Sequence, residues 1–164
     1  MAQVVIKRPN WQELFVATAL LDDAEIKALP TTAIEIVAAP GAGKVIYPLF
    51  VTLKATLTAA YTGIDTEGSY LLTSVGESGW LEYAQNVGAI DSVLGDTAVS
   101  SGPVLAFMRQ SDRVQAADTS LLWFVAAAVT NQPLTLSMFN SGNLTGGNAA
   151  NSLALTTLYH VFDV

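Results

Sequence analysis

One stretch of this chain, Tyr47 to Leu57, alternates between two kinds of residue over eleven positions. A period of two is typical of a β-strand, whose successive side chains point to opposite faces, and a helix cannot produce it. We expect one face to carry Tyr47, Leu49, Val51, Leu53, Ala55 and Leu57, and the other to carry Pro48, Phe50, Thr52, Lys54, Thr56 and Thr58. Because proline has no N–H group, the Pro48 end of this strand is predicted to pair on one side only.

Further strands are predicted between closely spaced Gly and Pro residues. Leu134, Leu136 and Met138 alternate with polar residues, and three more ranges are rich in β-branched or aromatic residues: Ala33 to Ala38, Pro103 to Met108, and Ser152 to Phe162. The apolar run Leu121 to Val129 fits either a buried strand or a core helix, and its length favours a strand.

One helix is predicted, at Ala17 to Leu29. Asp22, Asp23 and Glu25 come early in this range and Lys27 comes late, which is the arrangement that the helix dipole favours. Pro30 ends it, so we expect a turn or two. The prediction is therefore an all-β chain, an antiparallel β-sandwich of jelly-roll type, with one domain over residues 1–164 and an N-terminal arm at residues 1–10.

Composition narrows the classes of function. The chain has 164 residues, of which 51% are hydrophobic and 13% charged, with a net charge of −7 and no Cys. This acidity argues against nucleic-acid binding, and the lack of Cys excludes disulfides and thiolate metal sites. No apolar run approaches the roughly 20 residues of a membrane span, and no secretory signal is recognisable. Charged residues are about half as frequent as usual, so we expect copies or a partner to cover an apolar surface.

The candidate chemical motifs all favour structural interpretations. Pro40 to Val45 lacks the Gly and the Ser or Thr of a phosphate-binding loop and leads into a strand, so it predicts a tight turn. His160 and Asp163 lie three apart on a predicted strand, which places them on opposite faces. The scattered acids fit no calcium loop, and a surface cation site that helps assembly is the alternative for them. We therefore expect no enzyme, cofactor or metal, although a glycosidase's two carboxylates can come from anywhere in a chain.

Candidate interface residues are apolar or aromatic and lie in less regular stretches. Val4, Val5 and Ile6 in the predicted arm precede Lys7 and Arg8, whose charges could meet an acidic neighbour. Trp11, Phe15 and Trp80 are candidate interface anchors, because aromatic side chains bury a large area. Stacking on a carbohydrate is the alternative for these aromatic residues.

Two segments resemble a known family. They are Asp22 to Ile46, with Ile26-Lys27-Ala28-Leu29-Pro30-Thr31-Thr32 followed by Ala39-Pro40-Gly41-Ala42-Gly43-Lys44, and a closing section with Asn131-Gln132-Pro133-Leu134 and Gly142 to Asn148. Both are similar to segments of small structural proteins of tailed bacteriophages. The resemblance implies a head decoration, or cement, protein: a β-sandwich, often a jelly roll, that binds the outside of the capsid as a trimer or dimer. It implies no catalytic residues.

The expected function is therefore that of a virion structural protein on the outer surface of a phage capsid. Its expected partners are the major capsid protein and copies of itself, with a trimer preferred over a dimer, and neither nucleic acid nor membrane. The first alternative is a tail or head-fibre module that binds a receptor, and the second is a glycan-active hydrolase.

Overall fold

The computed structural model describes residues 3–6, 13–65, 70–76, 78–83, 94, 104–110 and 129–164. Within these ranges the elements are one short helix and eleven strands: β1 Gln3–Ile6, β2 Leu14–Leu21, α1 Asp23–Ala28, β3 Ile34–Val37, β4 Lys44–Thr56, β5 Tyr61–Thr62, β6 Tyr70–Val75, β7 Ser78–Tyr83, β8 Val104–Gln110, β9 Leu134–Phe139, β10 Thr145–Gly146 and β11 Ser152–Asp163. The strand pairs of these ranges are antiparallel. The predicted all-β class is confirmed.

Four of the strands predicted from sequence are present. Strands β3, β8, β9 and β11 coincide with the four ranges proposed from sequence to within a few residues. In β9 the alternation is as predicted, because Leu134, Leu136 and Met138 are buried and the intervening residues are partly exposed. Of the run Leu121 to Val129, only Val129, which is buried, belongs to the described residues.

Strand β4 follows the predicted alternation over only part of its length. From Val51 onward the odd-numbered residues are buried, but Leu49 is 42% exposed and Pro48 is buried. The register explains the change: Leu158 pairs with Phe50 and Tyr159 pairs with Pro48, so Leu49 is the extra residue of a β-bulge. A bulge changes the face on which neighbouring residues lie, so the prediction that Leu49 shares the buried face of Val51 is wrong. Tyr47 pairs with His160 and is partly buried against the core.

The one-sided pairing predicted near Pro48 agrees with the described residues. Strand β4 pairs with β11 from Lys44 to Thr56, whereas its described pairing with β8 covers Val51 to Ala55. Pro48 therefore lies in the part of β4 whose described pairing is with β11 alone. Its missing N–H group interrupts no described hydrogen bond to β8.

The helix prediction was too long at its N-terminal end. Residues 17–21 belong to β2, because Ala17 and Leu21 are buried while Leu20 is 69% exposed, which is a strand period. Helix α1 begins after Asp22, whose carboxylate accepts the Glu25 backbone N–H while the Glu25 carboxylate accepts the Asp22 N–H. This capping box fixes the start of the helix, and the chain leaves the helix before Pro30 as predicted.

The strands form one curled sheet and a small ribbon. The order in the sheet is β1-β2-β11-β4-β8-β7-β6-β9-β3, and β5 pairs with β10 separately. We call β1-β2-β11-β4-β8 the first half and β7-β6-β9-β3 the second half; the described link between β7 and β8 joins them. Strands β2 and β3 lie near opposite ends of this order and are nevertheless in contact, so the sheet curls back on itself.

The eight main strands pair in a nested pattern. Leaving out β1, β5 and β10, the first strand pairs with the eighth, the second with the seventh, the third with the sixth and the fourth with the fifth. The described strands thus pair as the strands of one long antiparallel hairpin would. Both halves contribute fully buried side chains to the core, such as Leu53 and Leu155 from the first half and Leu71 and Leu136 from the second.

Candidate interaction surface and end cleft

The outward side of β2, β11 and β4 is a regular surface of three paired strands. The inward residues of these strands, such as Leu21, Leu53 and Leu155, belong to the core, and the residues between them point the other way. We call this surface the outer face; it consists of Leu14, Val16, Thr18, Leu20, Phe50, Thr52, Lys54, Ala154, Thr156, Leu158 and His160.

The register arranges the outer face in rows that cross the strands. Val16, Leu158 and Phe50 form one apolar row, and Thr18, Thr156 and Thr52 form the next. At one end Leu20 and Ala154 lie beside Lys54. Neighbouring side chains in such rows are about 4.5–5.5 Å apart at their Cβ atoms, so the apolar row is continuous across three strands.

The outer face is partly exposed to solvent and carries few charged residues. Leu20 is 69% exposed and Phe50 is 39% exposed, and Lys54 is the one Lys, Arg, Asp or Glu of the face. The outward face of an antiparallel sheet in water is normally polar. An apolar row beside a row of threonines, on strands held in register on both sides, is suited to contact with another protein surface.

Three of the predicted interface residues lie in the strand beside this face. Strand β1 adds to the edge of β2 and places Val4 opposite Val16, Val5 opposite Phe15 and Ile6 opposite Leu14. Residues 3–6 of the proposed arm are therefore an edge strand, which extends the backbone ladder of the first half.

The remaining predicted anchors have different positions. Phe15 points inward and stacks on Tyr159, with ring centroids 5.4 Å apart. Trp80 falls within β7, and nothing beyond its backbone is described, while Trp11 lies outside the described residues. The interface roles of all six residues stay predictions.

The Pro40 to Val45 segment and His160, both interpreted structurally from the sequence, each donate a hydrogen bond to a backbone carbonyl group. The Lys44 N–H donates to the Gly41 carbonyl across a turn, and Gly41 and Gly43 have φ angles of 103° and 71°. Glycine is the residue that adopts such angles without strain. At the same end of the first half, His160 Nδ1 lies 2.9 Å from the Glu13 carbonyl oxygen. Because a carbonyl can only accept, Nδ1 carries the proton in this contact.

A cleft of about 530 Å³ opens at the end of the first half, between its inward side and the chain that connects β3 to β4. We call it the end cleft; its lining residues are Glu13, Phe15, Ala17, Val37, Ala38, Ala39, Pro40, Lys44, Ile46, Tyr159, Val161 and Asp163. The stacked Phe15 and Tyr159 rings form part of the floor, and the charged side chains lie at the ends of their strands. Asp163 thus faces the cleft side of β11 and His160 the outer face.

A polar junction ties α1 to the closing section of the chain. The Tyr61 hydroxyl donates to Asp23 Oδ1 at 3.0 Å, and Lys27 Nζ donates to Asp23 Oδ2 at 2.7 Å. The hydrogen bond from Lys27 holds the pKa of Asp23 below its usual value of 3.8, and burial raises the pKa of Tyr61. Nearby, Asn151 Oδ1 accepts from the backbone of Thr58. The Leu144 N–H donates to the Lys27 carbonyl, and the Thr31 hydroxyl donates to Asn143 Oδ1, so the segments Asp22 to Ile46 and Gly142 to Asn148 are in direct contact.

Other kinds of site find no support in the described part of the chain. No group of three His, Cys, Asp or Glu residues there could hold a metal ion. Among the same residues, no helix has the length and apolar character needed to cross a membrane. Comparison with protein-family models, with curated proteins and with solved structures found no match.

Proposed function

We propose that this chain is a capsid decoration protein of a tailed bacteriophage, a jelly-roll sandwich that binds the outside of the head and stabilises the shell. The observation that carries the proposal is the outer face, with its apolar row Val16, Leu158 and Phe50 and its single charged residue, Lys54. A protein whose task is adhesion needs such a surface, and catalysis does not require it.

The nested strand pairing supports the jelly-roll part of the proposal. A jelly roll is a two-sheet, eight-strand architecture that occurs in viral capsid and lectin domains. Here β2-β11-β4-β8 and β3-β9-β6-β7 would be its two four-stranded sheets. Consecutive main strands would lie in different sheets except for β6 and β7, which pair with each other, as expected for a rolled hairpin. A fold of this kind hosts many functions, so the adhesion role rests on the outer face.

The proposed mechanism is multivalent adhesion. A protomer that buries a face of about 800 Å² forms an interface of ordinary size, and linked protomers of a trimer, or of a dimer as the alternative, bind a repeating shell more tightly than one alone. The partner surface is proposed to belong to the major capsid protein, and the protein would lie on the outer surface of the virion.

Two exposed phenylalanines offer a matched test. Phe50 lies on the outer face of the first half, and Phe139, which is 60% exposed, ends β9 in the second half. Phe50→Ser is expected to weaken sedimentation with undecorated, tailless heads by at least tenfold, which is the size of an interface anchor, whereas Phe139→Ser leaves it within twofold. Urea unfolding of both variants checks that each is folded.

The outcome also separates the alternatives. If wild-type protein does not sediment with tailless heads, the decoration role is wrong, and binding to tails or to host glycans then favours the receptor-binding module. If Phe139→Ser alone reduces sedimentation, the outer face is not the docking surface. Turnover of a glycan that Glu13→Gln abolishes in folded protein would favour the hydrolase.

A further inference from the structure

The end cleft has the size of a small-molecule site. Pockets for such ligands are concave, mostly apolar, and roughly 300–1,000 Å³ in volume, and the end cleft measures about 530 Å³. It lies on the inward side of the first half, and the outer face lies on the other side of the same strands. The cleft is thus a separate feature from the surface proposed for docking.

The walls of the cleft divide into an apolar floor and a charged mouth. Phe15, Pro40 and Val161 are partly exposed apolar side chains that a bound molecule would contact. Ile46 and Tyr159 lie beneath them and are buried. The stacking of Phe15 on Tyr159 fixes the Phe15 ring in the floor, so the apolar surface is formed before any ligand arrives.

The mouth of the cleft favours positive charge. Its charged lining residues among those described are Glu13, Lys44 and Asp163, which amount to two carboxylates against one ammonium group. Lys44 and Asp163 are partners in the β4–β11 register, so their opposite charges are neighbours. The backbone of Glu13 is held by His160, and the net charge of −7 on the whole chain acts in the same direction.

We propose that the end cleft binds small organic cations that have an apolar body, such as alkylammonium ions. The apolar body packs on Phe15, Pro40 and Val161, and the cationic group lies at the mouth near the Glu13 and Asp163 carboxylates. An exposed face of an aromatic ring adds cation–π attraction for a quaternary ammonium group. This proposal stands on the cleft alone and does not depend on the capsid role.

Three probes with the same six-carbon chain test the proposal by calorimetric titration of the full chain. Hexyltrimethylammonium, 1-hexanol and hexyl sulfate differ in the charge of the head group. The expected order of affinity is ammonium, then alcohol, then sulfate. Glu13→Gln and Asp163→Asn should each weaken binding of the ammonium ion about two- to fivefold, as exposed charge contacts do, while leaving binding of the alcohol unchanged. Lys44→Met should strengthen binding of the ammonium ion by a similar factor.

A blocking variant shows whether the probes bind in this cleft. Ala39→Trp places a large ring on the exposed wall of the cleft, whereas Ala42→Trp places the same ring on the exposed turn nearby, outside the lining. Loss of ammonium binding in the first variant and retention in the second supports the proposal. Equal affinity for the three probes, absence of saturable ammonium binding, or ammonium binding that survives Ala39→Trp would each overturn it.

Discussion

Gly147 provides a quantitative test of the polar junction at α1. Its φ angle is +67°, and a Cβ atom added there would lie 2.5 Å from Asp23 Oδ1 and 2.5 Å from the Tyr61 ring. A left-handed conformation costs a residue other than glycine about 1–2 kcal/mol. Tyr61 is buried and cannot move freely in a close-packed interior, so the added methyl group would also disturb the hydrogen bond from Tyr61 to Asp23.

Two other glycines separate these contributions. Gly43 has a similar φ of +71° but its nearest atom would be 3.9 Å away, and Gly142 has neither a positive φ nor a neighbour within 4 Å. Gly142→Ala is therefore expected to change the free energy of unfolding by less than about 0.5 kcal/mol, and Gly43→Ala to lower it by about 1–2 kcal/mol. At Gly147 the loss of a hydrogen bond to a charged group adds about 1.5–3 kcal/mol to this conformational cost. Gly147→Ala should therefore lower the free energy of unfolding by about 2.5–5 kcal/mol.

The measurement is urea unfolding of all three variants at one protein concentration, because the stability of an oligomer depends on concentration. Adding Asp23→Ala removes one of the two obstructing groups, so the double variant Gly147→Ala with Asp23→Ala should lose less than the sum of the single losses. The reasoning is refuted if Gly147→Ala is no less stable than Gly43→Ala, since the close approach at Gly147 is the only difference that it uses.

Three further expectations concern stability. Thr157 Oγ1 is buried and has no hydrogen-bond partner among the described residues, so Thr157→Val should raise the free energy of unfolding by about 1 kcal/mol, and a loss of stability would contradict this. Leu155→Ala should lower the free energy of unfolding by about 2–5 kcal/mol in chemical denaturation. The control Thr156→Ala, at the exposed neighbouring residue, should lower it by less than about 0.5 kcal/mol. Because the fold lowers the pKa of Asp23, its ionised form contributes stability above pH 3.8 that is lost as the pH falls through the lower, folded value. Asp23→Asn should thus be less stable than wild type at pH 7 and equal to it in strong acid, and a constant difference across pH would refute the linkage.

Local sequence patterns were sufficient to predict most of the described strands. They were insufficient to predict the buried face of a strand where one extra residue altered the register. Alternation predicted which residues of β9, and of β4 beyond Phe50, are buried. It could not predict the bulge at Leu49, because the bulge depends on how β11 pairs with β4 at Leu158 and Tyr159, about 110 residues away in the chain. The helix start was available locally: Asp22 with Glu25 three residues later is the pattern of a capping box, and the preceding residues alternate as a strand does.

The same distinction explains what could be predicted about the candidate sites. Low charge content predicted a partly apolar exterior, but its position depends on pairing. Val16, Leu158 and Phe50 come from three distant parts of the chain and become one row only when β11 lies between β2 and β4. The end cleft likewise joins Glu13, Lys44 and Asp163 through strand ends that meet at one edge. Phe15 was identified from sequence as an interface anchor, and its stacking on Tyr159 places it in the cleft floor. A change at Phe15 should therefore affect binding of the ammonium probe more than binding to heads, which a direct comparison of the two assays would decide.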